Sequence, residues 1–506
     1  MAALPMTKDN SKSHIWAIGG SDCCAGAGIQ ADVKAAQKLE VYCSTVVTAL
    51  TVQNSHGVQA INPVSTEVFS QQIDALQKDG LPDVIKVGLL ATKEQVLCLT
   101  DWLFCLARES IKPLIVLDPV TVASDGSHLT LDDTREALKS HLLPLVDVVT
   151  ANWQEALWLC ECQGNNLDVA MVLKLLATLP VRHVLLKGGH QPQQDKCVDW
   201  LLTDGQPSAL SLPHLADSRA HGTGCTLATA LSAALAKGYP LKDAFVLAKS
   251  LVYQGLLQTH KIGCGVAKLG VKSLQYRREW FPEYLSISKL RCPSAPFASC
   301  DTQHLGLYPV VDSIAWLKRL LNLGVNTIQL RIKQRERQTL SSQIQQASML
   351  AKAAGARLFI NDYWQLAIEH GCYGVHLGQE DIEDADLNLI QASGVRLGVS
   401  THGYFELLRA LYLRPSYIAI GAIFSTTTKN MSGQLQGIAK LKCLVQLAQG
   451  YPLVAIGGIN IDNIASVLST GVGSVAVVSA ITKAEHPEQV VCALQAQLRS
   501  QGVSDE

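Results

Sequence analysis

Short apolar runs rich in Val and Ile alternate with longer stretches of helical periodicity along the whole chain. IWAIGG, TVVTAL, DVIKVGLL, LIVLDPV, VDVVTAN and HVLLKGG each predict a buried strand, and LATALSAALA predicts a helix. This rhythm predicts α/β architecture with a mostly parallel sheet. It breaks over residues 286–304, SISKLRCPSAPFASCDTQH, where Ser and Pro are frequent, and an exposed interdomain linker is expected there. The alternation then resumes with LGLYPVV, NTIQLR, RLFIN, YGVHL, RLGVS, YIAIGA, PLVAIGG and SVAVVS, each followed by a helix-sized segment. Eight strand–helix units in roughly 200 residues predict a (β/α)8 barrel. The first half lacks that count and predicts an open sheet covered by helices on both faces. The expected organisation is a first domain over 1–285, a linker over 286–304 and a second domain over 305–506.

Composition narrows the classes. A chain of 506 residues exceeds what one hydrophobic core usually serves, and 48% hydrophobic residues supply ample core material. The formal net charge of −1 provides no bulk field for nucleic acid or an anionic membrane, so anions must be held by local sites. The 15 cysteines show no repeated metal-ligand spacing: Cys160 and Cys162 have no second pair, and Cys23 and Cys24 are adjacent. A reduced, cytoplasmic chain is the simplest account. No signal peptide is expected from MAALPMTKDNSKSH, and no apolar run approaches the ~18 residues of a membrane span. The expected partners are small molecules, with a homo-oligomer left open.

Two glycine-rich stretches frame the first half. Gly19-Gly20-Ser21-Asp22-Cys23-Cys24-Ala25-Gly26-Ala27-Gly28 follows a strand and precedes a helix, which a tight turn alone would explain. His221-Gly222-Thr223-Gly224-Cys225-Thr226 leads into the Ala-rich helix, where small residues and the helix dipole suit a phosphate and equally suit an ordinary helix start. The ordered set AxGGSD…AGIQAD, TALTVQN, KVGLL, VLDPV, NxxE at Asn152–Glu155, LLKGGH and HGTGCT resembles the hydroxymethylpyrimidine/phosphomethylpyrimidine kinase family, a branch of the ribokinase-like fold. The resemblance implies ATP as co-substrate and Mg2+. It implies that Asp32 and Gln53 hydrogen-bond an aminopyrimidine, that Glu155 and Asn152 order magnesium and phosphates, and that Lys187 offsets charge near the nucleotide. The amides around Gly222 and Gly224 would hold the transferring phosphoryl group. Cys225 stands where many ribokinase relatives have aspartate, and a thiol at a helix N-terminus with a depressed pKa is expected to act as base. The chain departs from the family at Cys23-Cys24-Ala25, at Ala151 and Gln154 where proline is common, and at Ser218-Arg219-Ala220 before His221. Each residue also has a plainer role open to it: Asp32 in a helix first turn, Gln53 in a turn, Asn152 as a cap, Cys225 as a small buried residue.

In the second half polar residues recur at the C-terminal ends of nearly all predicted strands, where barrel chemistry collects. They are Gln329, Arg331 and Lys333; Asn361 and Asp362; Asp381; Ser400; Thr426, Thr427, Thr428 and Lys429; Gly457 and Gly458; and Ser479. Arg331, Lys333 and Lys429 suit a diphosphate, and Asp362 and Asp381 suit magnesium. Gly458 with Val478 and Ser479 falls at the usual barrel phosphate site. QLRIK, FIND, GVHLGQED, LGVSTH, FSTTTK, AIGGI and VVSAI resemble thiamine-phosphate synthase, with Ser425 where that family often has proline. The resemblance implies that the Gln329-Leu330-Arg331-Ile332-Lys333 stretch, Asn361, Ser400 and Lys429 contact a pyrimidine diphosphate. Thr426, Thr427, Thr428, Gly458, Val478 and Ser479 would hold a thiazole phosphate. His376, on a strand, is expected in the core or rim. The expected function is a bifunctional enzyme of thiamine biosynthesis; the alternative is an active kinase whose barrel only binds a regulatory ligand.

Overall fold

The structure is a computed structural model that describes residues 13–108, 112–121, 129–162, 167–189, 195–215, 220–262, 264–287, 290, 292–333, 336–426 and 435–502. The described residues separate into two compact units that part near Ile287, except that Tyr276–Arg278 group with the second.

The first unit contains β1 (His14–Asp22), β2 (Tyr42–Asn54), β3 (Gly57–Pro63), β4 (Val84–Val87), β5 (Leu114–Leu117) and β6 (Val148–Ala151). β7 (His183–Leu186), β8 (Lys196–Thr203), β9 (Gln206–Pro213), β10 (Ala220–His221), β11 (Ala267–Lys268) and β12 (Glu283–Leu285) follow. Ten of these form one open sheet in the order β12-β9-β8-β7-β6-β5-β4-β1-β2-β3, and β10 pairs with β11 apart from it. The six strands from β2 to β7 through β1 run parallel, and they are the six that the apolar runs predict. Every residue of β4 and β6 is buried, as strands covered on both faces require. Antiparallel strands extend both edges.

The second unit is a closed parallel barrel of β13 (Gly306–Val311), β14 (Thr327–Leu330), β15 (Arg357–Asn361), β16 (Gly374–Leu377), β17 (Arg396–Thr401), β18 (Tyr417–Ile420), β19 (Leu453–Ile456) and β20 (Ser474–Val477). All eight expected strands are present. Tyr308, Phe359 and Tyr417 fill its interior. Two glycines make room for these rings: a Cβ on Gly374 would come within 2.3 Å of the Phe359 ring, and one on Gly398 within 2.2 Å of the Tyr417 ring.

The segment expected to be an exposed linker is seated on the N-terminal end of the barrel. Leu290 and Phe297 are buried. Ser416 Oγ donates to the Ala298 carbonyl at 2.6 Å, Arg396 Nε to the Ser299 carbonyl at 3.0 Å, and Arg357 Nε to Asp301 Oδ1 at 2.6 Å. Arg414 reaches the Ser294 carbonyl at 3.3 Å. A polar, proline-containing composition describes this segment but misses its acceptors, which face arginines 56 to 120 residues on. A barrel fragment starting at residue 305 is therefore expected to unfold several degrees below one starting at residue 288. Burying a Leu or Phe side chain alone contributes about 1.5–3 kcal/mol. Thermal unfolding of the two fragments checks this, and equal midpoints would return the segment to linker status.

Candidate active sites

The parallel strands of the first unit deliver charge to one end of the sheet. Lys86 lies on β4, Asp118 follows β5, Asn152 follows β6 and Lys187 follows β7. Open α/β sheets bind ligands beyond the carboxyl ends of their strands, where strand order reverses; here β1 separates β2 from β4. Lys187 Nζ lies 2.8 Å from Asp118 Oδ1 and 3.3 Å from Glu155 Oε2, and Thr150 Oγ1 donates to Asp118 Oδ1 at 3.0 Å. Both carboxylates are buried. Burial would raise Asp118, but Lys187 and Lys86 outweigh it and hold the carboxyl below its ordinary range. Glu155 moves up, because burial exceeds what Lys187 returns and Asp118 adds to it. Two carboxylates sharing one ammonium are thus pushed apart in acidity.

Asn152 and Glu155 form a capping box on helix Trp153–Leu159. The Glu155 N–H donates to Asn152 Oδ1 at 2.9 Å and the Asn152 N–H to Glu155 Oε2 at 2.7 Å. The side-chain oxygen of Asn152 is spent on the helix, while Glu155 keeps Oε1. The first turn of helix Thr223–Ala236 meets this cluster: a Cβ on Gly224 would stand 3.6 Å from both Asp118 Oδ2 and Lys187 Nζ. Gly222 is left-handed at φ 85°, and a Cβ there would lie 1.9 Å from the Gly26 carbonyl oxygen, so the two glycine stretches abut. The first is shaped by Asp22, whose carboxylate accepts from the N–H groups of Cys24, Gly26 and Ala27 at 2.7–2.8 Å.

Two expectations need correction. Asp32 is fully buried, and both its oxygens are engaged: Lys86 Nζ lies 2.9 Å away and Thr229 Oγ1 donates at 2.6 Å. Burial pushes Asp32 up against the pull of Lys86. Asp32 therefore ties helix Gly28–Lys38 to β4 and to helix Thr223–Ala236, and none of its surface is open to a ring. The Cys225 thiol is pushed up to about 11 by burial, with Lys86 opposing and Asp32 and Asp118 adding, so the expected depressed pKa is absent. Gln53 sits half-buried on β2, where its carbonyl accepts from Cys23 Sγ at 3.1 Å. Lys86 and Asp118 fall within the strings KVGLL and VLDPV, whose motif reading does not mark them. A charged residue at the end of an otherwise apolar strand was the available signal.

In the barrel the strand ends converge as expected. Gln329 on β14 and Asn361 on β15 are buried, Leu330 ends β14, and Arg331, Ile332 and Lys333 follow it. Asp362 follows β15, Asp381 opens helix Asp381–Asp384 after β16, and Ser400 lies near the end of β17. Thr426 lies beyond β18, Gly458 beyond β19, and Val478 and Ser479 beyond β20. Thr427, Thr428 and Lys429 lie outside the described residues. Asp362 is left-handed at φ 64° and exposed, and Asp381 accepts from the Gly378 N–H at 3.0 Å. Among the described residues no cluster of three or more His, Cys, Asp or Glu side chains could cage a metal. Two exposed carboxylates instead fit magnesium carried largely by substrate phosphates. A Cβ on Gly458 would meet the Ser425 carbonyl oxygen at 2.6 Å, which keeps that loop close.

Behind this rim lies a layer the sequence reading did not identify. Gln379 Nε2 donates to the Ser400 carbonyl at 2.6 Å, and Arg409 holds the Gln379 carbonyl at 3.1 Å and Glu383 at 2.7 Å. These bonds brace the loop that carries Asp381. His376 is buried as expected, but it also touches the rim, with Nε2 2.8 Å from Ser400 Oγ. Burial, with Arg331 adding, lowers its pKa to about 4.

Residues 22–270 match the family model described as "Phosphomethylpyrimidine kinase", and residues 307–481 match "Thiamine monophosphate synthase". The chain is 59% identical over 203 residues to a thiamine-phosphate synthase of Photorhabdus laumondii, covering 40% of this chain and 93% of that protein. A thiamine-phosphate synthase of Yersinia pseudotuberculosis is 55% identical over 204 residues, covering 40% and 95%. Among solved structures, a phosphomethylpyrimidine kinase from Clostridium difficile 630 is 29% identical, covering 48% of this chain and 99% of that one, with a TM-score of 0.41. The pyridoxal kinase from Staphylococcus aureus in complex with AMP-PCP and pyridoxal is 29% identical, covering 52% and 95%, with a TM-score of 0.47.

An open-sheet kinase unit followed by a phosphate-handling barrel defines a two-domain transferase. More particularly, the chain belongs to the phosphomethylpyrimidine kinase family through its first half and to the thiamine-phosphate synthase family through its second. No helix among the described residues is long and apolar enough to cross a membrane.

Proposed function

We propose that the first half transfers phosphoryl groups from ATP to hydroxymethylpyrimidine and then to its monophosphate, and that the second half joins the resulting diphosphate to thiazole phosphate. One observation carries this reading: a single chain sets two clusters of charged and polar side chains, each at the carboxyl ends of parallel strands, and their chemistry suits phosphates. In the first, the turn at Gly222–Gly224 holds the phosphoryl group and Lys187 offsets its charge, while Asp118 and Glu155 would hold Mg2+, which would neutralise charge on the phosphates. Such transfer needs mainly positioning and charge stabilisation. In the second, the C–O bond of the pyrimidine methyl diphosphate breaks, diphosphate leaves with the electron pair, and the thiazole nitrogen forms the new C–N bond. Gln329 and Asn361 orient the ring. Arg331, Lys333, Ser400 and Lys429 take the charge growing on the leaving group, and Thr426 to Thr428, Gly458, Val478 and Ser479 hold the thiazole phosphate. Magnesium held by Asp362 and Asp381 would add electrostatic stabilisation there. A coupled assay from hydroxymethylpyrimidine, ATP and thiazole phosphate tests the whole reading; failure to form thiamine phosphate would remove it.

The corrected state of Cys225 carries its own prediction. A thiol held near 11 stays protonated at neutral pH, so the base role loses its premise. Cys225→Ala is expected to lower kinase turnover less than about tenfold, against the ~10²–10⁴-fold typical of losing a general base. Its rate should be flat from pH 6 to 9. A 10²-fold loss, with a wild-type rate climbing in that range, would reinstate the thiolate.

A further inference from the structure

Between Gln329 and Ser400, which the reaction above calls on, the barrel interior holds three polar side chains that it does not: Tyr308, Tyr417 and His376. Gln329 Nε2 donates to Tyr308 OH at 3.5 Å, and Tyr308 OH lies 2.7 Å from Tyr417 OH. Tyr417 OH lies 2.6 Å from His376 Nδ1, and His376 Nε2 lies 2.8 Å from Ser400 Oγ. The five residues come from β14, β13, β18, β16 and β17, so the line crosses the barrel. Tyr308, Tyr417 and His376 are 1%, 0% and 7% exposed, which keeps water from completing their hydrogen bonds.

Each hydroxyl has a single proton to give, and this fixes the direction of the line. Among the described residues Tyr308 OH meets the Gln329 amide N–H, which only donates, and Tyr417 OH; the Gln329 amide also reaches Tyr417. The Tyr308 proton must then go to Tyr417, and the Tyr417 proton to His376 Nδ1. Nδ1 is left as an acceptor, so a neutral ring carries its proton on Nε2 and donates it to Ser400. The proton of Ser400 itself is claimed by no group among the described residues. The opposite direction would strand the Tyr308 proton in the barrel core without an acceptor, which buried polar groups rarely tolerate.

We propose that Gln329, Tyr308, Tyr417 and His376 form a one-way hydrogen-bond relay that fixes Ser400 as a donor to the ligand phosphate. His376 and Tyr417 are then positioning residues for the barrel reaction. The relay also commits an N–H of Gln329 inward, which leaves its carbonyl oxygen for an amino group on the ring. This inference rests on the proposed barrel reaction only for the identity of the ligand.

The test uses the full chain labelled with 15N-histidine, the His376 signals being assigned by their loss in His376→Asn. At pH 7 the relay requires a neutral ring protonated on Nε2, and Tyr417→Phe should shift it toward a mixture of tautomers. In turnover, His376→Gln can restore an N–H near Ser400 and should keep kcat within tenfold. His376→Asn, too short to do so, should lose about 10²-fold, with KM for the pyrimidine diphosphate little changed. A ring protonated on Nδ1 or charged at pH 7 overturns the relay, as does an equal loss in the two His376 variants. Should the wild type show the Nε2–H signature yet form no thiamine phosphate, the function fails while the relay's geometry stands.

Discussion

Asp362→Asn is expected to abolish joining of supplied pyrimidine diphosphate to thiazole phosphate while kinase turnover stays near normal. The backbone makes this substitution unusually clean. Asp362 is left-handed at φ 64°, a conformation that Asn and Asp tolerate and most other residues resist. Asn keeps the shape and the backbone and removes only the charge, whereas Ala would add strain to the result. With magnesium held as proposed by the carboxylates of Asp362 and Asp381, losing one would halve the protein charge on the ion. Loss of one preorganised electrostatic contribution typically costs on the order of 10²–10³-fold in turnover. Raising magnesium should recover part of it, because Asp381 and the diphosphate remain. Steady-state rates across a magnesium titration decide the matter, and an unchanged rate would take Asp362 out of the metal site.

What the sequence made legible follows from how local each signal is. All eight barrel strands and the six parallel strands of the first unit are short apolar runs, and burial alone imposes that pattern. The β8–β9 hairpin escaped because KCVDWLLT mixes polar and apolar residues. Its Asp204-Gly205 turn, with φ 48° and 75°, was the readable sign. The motifs point to both candidate sites, yet the state of their groups depends on partners far away in the chain. Asp32 meets Lys86 54 residues on, and Asp118 meets Lys187 69 residues on. Helix position alone suggested a reactive Cys225, but its burial beside Asp32 and Asp118 reverses the direction of the shift. Likewise His376, on a strand, reads as core or rim and is buried at the rim; its link to Ser400 arises only when β16 pairs with β17.

Lys187→Met should remove kinase activity and weaken the first unit more than any surface change. Its ammonium contacts Asp118 and Glu155 together, and both carboxylates are nearly inaccessible to water. Breaking a buried pair by removing one partner costs about 3–5 kcal/mol, because the remaining charge is left uncompensated. The pH dependence has a definite sign. In the wild type the depressed Asp118 pKa stabilises the fold above the ordinary carboxylate range, and that contribution is lost as pH falls through the folded pKa. Without Lys187 burial dominates both carboxyls, and the folded state binds a proton the unfolded state does not. The stability of Lys187→Met should then rise as pH falls from 8 to 5, opposite to the Asp118 contribution in the wild type. Adding Asp118→Asn should return much of the lost stability, since it removes one stranded charge, and should return no activity. Denaturant unfolding at several pH values reads the first effect, and phosphorylation of hydroxymethylpyrimidine reads the second. Joining of supplied pyrimidine diphosphate serves as the internal control. A Lys187→Met chain with kinase turnover within tenfold of wild type would mean that the charge on the transferring phosphate is offset elsewhere, with Lys187 serving only the two carboxylates beneath it.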